Sequence, residues 1–114
     1  MKLQEIAKEL SLEVRCAVHN LNKEVSGGYA SDLLSDVIAN SKKDNIWITL
    51  QIHQNIVGVA SLKELAGIII VNGREPEEDA LIKAEEENIP IMLTKLPAFE
   101  IAGRLYNLGI RGTG

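Results

Sequence analysis

Cysteine and aromatic residues are almost missing from this chain, which has one cysteine and only 4% Phe, Trp and Tyr combined. With Cys16 alone, neither an intramolecular disulfide nor a cysteine-based metal cluster can form. Cys16 lies in the apolar-rich stretch Leu12 to Val18, without a local base to activate it, so a buried structural thiol is expected rather than a nucleophile. Long apolar runs are absent too, and the opening Met-Lys-Leu-Gln-Glu-Ile passes directly into an amphipathic pattern, so a cytoplasmic location is expected. Positive charge is in deficit: the formal net charge of −4 disfavours broad attraction to nucleic-acid phosphates or an anionic membrane, and neither is expected as a partner. There is no phosphate-cradling loop followed by lysine and serine or threonine, no cysteine–histidine zinc spacing and no dinucleotide glycine fingerprint. ATP-dependent phosphoryl transfer therefore lacks its usual equipment, and neither cofactor nor metal is expected.

What is present suits one globular domain: 114 residues, 46% apolar and 25% charged. Leu3, Ile6, Ala7 and Leu10 form the stripe of a short first helix, and Leu12, Val14 and Cys16 alternate as in a half-exposed strand. After the polar, glycine-containing stretch 20–29, a helix is expected from Ser31 or Asp32, with Leu33, Leu34, Val37 and Ile38 on its apolar face. Strand patterns then recur with a period of about 22 residues at Ile46–Leu50, Ile68–Val71 and Ile89–Leu93. Helical patterns follow them at Asn55–Leu65, Pro76–Glu87 and from Pro97 onward. The alternation predicts an α/β fold with layered helices around a small, mostly parallel sheet. A single domain over 1–108 is expected, with Gly109 ending the last helix and a flexible tail over 109–114. The acidic crowding from Glu75 to Glu87 reads as a solvated helix face.

In such a sheet ligands meet the carboxyl ends of strands, where loops lead into helix amino termini. The candidates there are Asn72, Gly73 and Arg74, then His53, then Thr94, with the Ser26-Gly27-Gly28-Tyr29 loop and Asp32 joining them if that loop also leads into a helix. Gly73 would expose backbone donors, Asn72 would donate and accept, and Arg74 would clamp an anion; a plain turn with a surface arginine is the competing reading. Ser26-Gly27-Gly28 suits either a small anion-binding nest or ordinary turn geometry, and Tyr29 either caps a planar ligand or is half-buried structure. His53 could take a proton near pH 7, yet no nucleophile or metal constellation accompanies it. Asp32 and Asp36 could share a helix face, although capping and solvation explain both.

Read together, Ser26-Gly27-Gly28-Tyr29-Ala30-Ser31-Asp32-Leu33-Leu34-Ser35-Asp36-Val37, Trp47-Ile48-Thr49, Asn55-Ile56-Val57 and Asn72-Gly73-Arg74-Glu75-Pro76 resemble the DRTGG-domain family. That family is similar to the amino-terminal, non-kinase domain of bacterial HPr kinase/phosphorylase. The literal Asp-Arg-Thr-Gly-Gly string is absent here; Asn72-Gly73-Arg74 and Ser26-Gly27-Gly28 are its possible counterparts. The resemblance implies a non-catalytic regulatory domain that binds a small anionic metabolite or nucleotide, without HPr serine kinase activity. The alternatives are a homodimerising interaction module anchored by Tyr29, Phe99 or Tyr106, whose partner is a second copy or another regulatory protein, and a small enzyme using His53 and Asp32.

Overall fold

The computed structural model describes residues 1–113. In chain order the elements are α1 (Leu3–Glu9), β1 (Glu13–Val14), β2 (Gly27–Ala30), α2 (Leu34–Asn40), β3 (Asn45–Thr49), α3 (Asn55–Leu62), β4 (Gly67–Ile70), α4 (Glu78–Glu86), β5 (Ile91–Leu93) and α5 (Ala98–Asn107). The five strands form one sheet in the order β1-β5-β4-β3-β2. β2, β3, β4 and β5 run parallel, while β1 pairs antiparallel with β5 through Glu13 opposite Leu93 and Val14 opposite Met92. The expected α/β architecture is therefore observed, with one parallel strand more than the three-unit pattern contained.

The central strands are buried on both faces, as their continuous apolar runs require. Alternate side chains separate two cores. Ile46, Ile48, Ile69, Val71 and Met92 pack with Leu3 and Ile6 of α1 and Ile101 and Leu105 of α5. Trp47, Ile68, Ile70 and Ile91 pack on the other face with Val37 of α2, Ile56 and Ala60 of α3 and Ala84 of α4. Trp47 is fully buried, and its indole N–H donates to the Ser31 carbonyl at 2.8 Å, which satisfies its polar edge. Among the described residues no helix is long and apolar enough to cross a membrane.

The main departure from expectation lies between residues 26 and 34. The segment expected as a loop is strand β2, with Gly27, Gly28, Tyr29 and Ala30 registered against Asn45, Ile46, Trp47 and Ile48. The helix after it begins at Leu34 rather than Ser31 or Asp32, because both side chains have other partners: Ser31 Oγ accepts the Leu33 N–H at 3.2 Å, and Asp32 reaches across to β3. Of the segment expected as a tail, Ile110 is buried and Arg111 accepts the Gly28 N–H through its carbonyl at 2.9 Å, while Gly114 lies outside the described residues. Gly27 admits this approach: a Cβ there would overlap Thr113 Cγ2 and the Arg111 carbonyl.

Candidate functional site

The direction in which each helix leaves the sheet determines where a crevice opens. From β2, β3 and β4 the chain passes to α2, α3 and α4, all on one face; from β5 it passes to α5 on the other. Loops that turn the same way close over one another, whereas the exits of β4 and β5 diverge, the arrangement in which α/β sheets leave room for a ligand. A groove of about 440 Å³ lies there. It is lined by Gly73 and Glu75 after β4, by Leu93, Thr94, Lys95 and Leu96 at the end of β5, and by Arg104 of α5. The antiparallel strand β1 completes it, because pairing Glu13 with Leu93 carries Glu9, Leu10 and Ser11 to the carboxyl end of β5.

Thr94 is the most constrained polar group in this groove, at 9% exposure. Its hydroxyl oxygen accepts the Leu96 N–H at 3.2 Å, and among the described residues its own O–H donates to nothing. The three other buried polar side chains all donate: Ser41 to Val37, Thr49 to Asp32, and Asn45 to Ser26 and Thr113. A buried donor left over in a groove wall is the kind of group that a ligand oxygen or a water satisfies.

The Asn72-Gly73 turn shapes the other wall. Both residues are left-handed, with φ of 61° and 66°, and the Arg74 N–H closes the turn on the Val71 carbonyl at 3.3 Å. The backbone donors expected to be free at Gly73 are not: the Asn72 N–H donates to Leu96 and the Gly73 N–H to Thr94. Arg74 also departs from its expected position. Its guanidinium donates to the Leu50 carbonyl, away from the groove. Asn72 is exposed at the tip of the turn.

The exits of β2 and β3 are knitted together internally. Asp32 Oδ1 accepts both the Thr49 hydroxyl at 2.9 Å and the Leu50 N–H at 2.6 Å, and Gln51 Nε2 donates to the Asp32 carbonyl at 2.9 Å. With Arg74 on Leu50, this half of the sheet edge is stapled shut. His53 is exposed just before α3, where Nδ1 accepts the Asn55 N–H at 3.1 Å, a local turn contact. Asp32 and Asp36 do not share a helix face, since Asp32 precedes α2. Tyr29 donates to the Asp36 carboxylate at 2.8 Å; hydrogen bonds from Ser31, Tyr29 and Asn40 hold that carboxyl below its ordinary value.

Ser26 and Gly27 lie at the opposite, amino-terminal end of the sheet. The nest expected there is not formed, because the amides of extended backbone are taken: Ser26 N–H by the Asp44 carbonyl and Gly28 N–H by Arg111. Cys16 is buried as expected, and burial pushes its thiol pKa up. Of the expected residues only Gly73 and Thr94 line the groove. Glu75 and Lys95 belong to the expected strand exits, beside Arg74 and Thr94, whereas Glu9, Ser11, Glu13 and Arg104 carry no local signal for a place in the groove. Among the described residues no cluster of three or more His, Cys, Asp or Glu side chains is placed to hold a metal ion.

No family model matches this chain. No curated protein matches it either. Among solved structures, it is similar to the CBS and DRTGG domains of the regulatory region of a Clostridium perfringens pyrophosphatase, complexed with the activator diadenosine tetraphosphate. The TM-score is 0.69 at 17% identity, and the match covers 96% of this chain but 47% of that one, so the chain spans about half the length of that structure. The likeness is one of fold.

Proposed function

We propose that this chain is a non-catalytic regulatory domain that binds a small metabolite or nucleotide through an anionic group in the groove between the β4 and β5 exits. The observation that carries the reading is the Thr94 hydroxyl, a buried donor without an acceptor among the described residues, in the wall of a groove that also holds Lys95. The volume falls in the range of small-molecule sites. The similar fold in the pyrophosphatase regulatory region, a structure complexed with a nucleotide activator, adds support for ligand sensing. Occupancy would act by favouring one arrangement of the α1–β1 turn against the β5 exit, since ligand contacts to both would bias their separation. Arg74 and Asn72 then shape the turn beside the ligand rather than grip it.

The reading is tested by thermal shift and NMR titration with nucleotides, acyl phosphates and sugar phosphates. Amide shifts at Gly73, Thr94 and Lys95 are expected, and Thr94→Val should weaken binding about tenfold, the value of one hydrogen bond to a charged group, while leaving the fold intact. Shifts confined to the acidic helix α4, or binding unchanged in Thr94→Val, would overturn the site. Incubation with ATP, magnesium and HPr is expected to yield no phosphoserine.

A second reading, a homodimerising module without a metabolite, is favoured by the 91% exposure of Phe99, with Tyr106 also exposed on α5. A dimer whose formation Phe99→Ser abolishes, combined with a flat ligand screen, would select it.

A further inference from the structure

The groove is lined by charges of both signs. Glu9 and Glu13 stand on the wall made by α1 and β1, Glu75 stands after β4, and Lys95 and Arg104 stand on the β5–α5 side. Arg15 bridges two of the carboxylates, at 2.6 Å to Glu75 and 3.4 Å to Glu13, and Glu100 holds Arg104 at 3.3 Å. Counting the lining with these partners, four carboxylates (Glu9, Glu13, Glu75, Glu100) oppose three cations (Arg15, Lys95, Arg104), which leaves one negative charge in excess. Among the described residues Glu9 and Lys95 make no ion pair, so each wall keeps one charge available.

A ligand of negative charge alone would enter a site already negative and leave Glu9 uncompensated; a purely cationic one would leave Lys95 and the Thr94 donor without partners. We infer that the groove is built for a small zwitterion: an ammonium facing Glu9, and a phosphate or carboxylate facing Lys95 and accepting the Thr94 O–H. Opposed charges on the two walls fix the orientation of such a molecule. The inference rests on the ligand-binding reading above and narrows its occupant to an amine-bearing acid.

The probes are phosphoethanolamine, inorganic phosphate, ethanolamine and ATP, each titrated into the full chain and followed by amide shifts. Phosphoethanolamine is expected to move Gly73, Glu75, Thr94 and Lys95 and to bind at least tenfold tighter than phosphate or ethanolamine. Glu9→Gln should erase most of that advantage over phosphate, and Lys95→Gln most of the advantage over ethanolamine. If phosphate or ATP moves the same amides as tightly as phosphoethanolamine, and Glu9→Gln leaves or improves their binding, the zwitterion is wrong and the groove stands. If none of the four moves those amides, the zwitterion is wrong, and the groove falls with it when the acyl and sugar phosphates leave the same amides unmoved.

Discussion

At the scale of single residues, the Asp36 carboxylate ties α2 to β2. It accepts from Tyr29 and Asn40 at 2.8 Å each, and Ser31, Tyr29 and Asn40 together keep it ionised below the ordinary 3.8. Because the folded value is depressed, the stability Asp36 contributes is complete above the unfolded value and fades as pH falls through the folded one. The melting-temperature gap between the wild type and Asp36→Asn should therefore narrow on acidification from pH 6 to about pH 3. A gap independent of pH would show that the carboxylate's charge contributes nothing. The same contact raises the Tyr29 phenol, since its O–H donates to the carboxylate.

At the scale of elements, four of the five helices end alike. After α1, α3, α4 and α5 a residue turns left-handed (Ser11, Glu64, Asn88 and Gly109), and the apolar residue after it (Leu12, Leu65, Ile89 and Ile110) returns its N–H to a carbonyl five residues back and packs into a core. This closure satisfies the open carbonyls of the last turn and favours glycine at its left-handed position. Only one of the four has it. Glu64 is exposed, with φ of 54°, and its carbonyl rather than its side chain serves Asp44. Glu64→Gly should thus stabilise the protein by about 1 kcal/mol, while Gly109→Ala should cost a similar amount. Urea unfolding checks both, and a loss in Glu64→Gly would mean that its side chain matters in a way the contacts do not contain.

At the scale of the whole molecule, two helical layers share one thin sheet. Ile69 belongs to the core under α1 and α5, and its neighbour Ile70 to the core under α2, α3 and α4; both are fully buried. Truncating either to alanine should cost about 2–5 kcal/mol. Because the strands carry both layers, each variant is expected to lower the same cooperative transition, followed by Trp47 fluorescence and by circular dichroism. Separate midpoints for the two probes would mean that the layers unfold independently.

Local pattern alone determined the elements that repeat. The apolar run at 46–50 predicted β3 to within one residue of Asn45–Thr49, and Asn55 was read as the start of α3, since periodicity and turn chemistry act over a few residues. Gly109 was legible as a stop for the same reason. Strand β2 was not legible: Gly27 and Gly28 carry no strand preference of their own and are extended because β3 pairs with them on one side and the Arg111 carbonyl takes the Gly28 N–H on the other. Nor was the groove legible beyond Gly73, Thr94 and their chain neighbours. Its location depends on α5 leaving by the face opposite α4, and its second wall on β1 pairing with a strand some eighty residues away, as Glu13 with Leu93. Sequence periodicity specifies which face of an element is apolar. Which elements those faces bring together, and so which charges meet across a gap, is decided only when the layers pack.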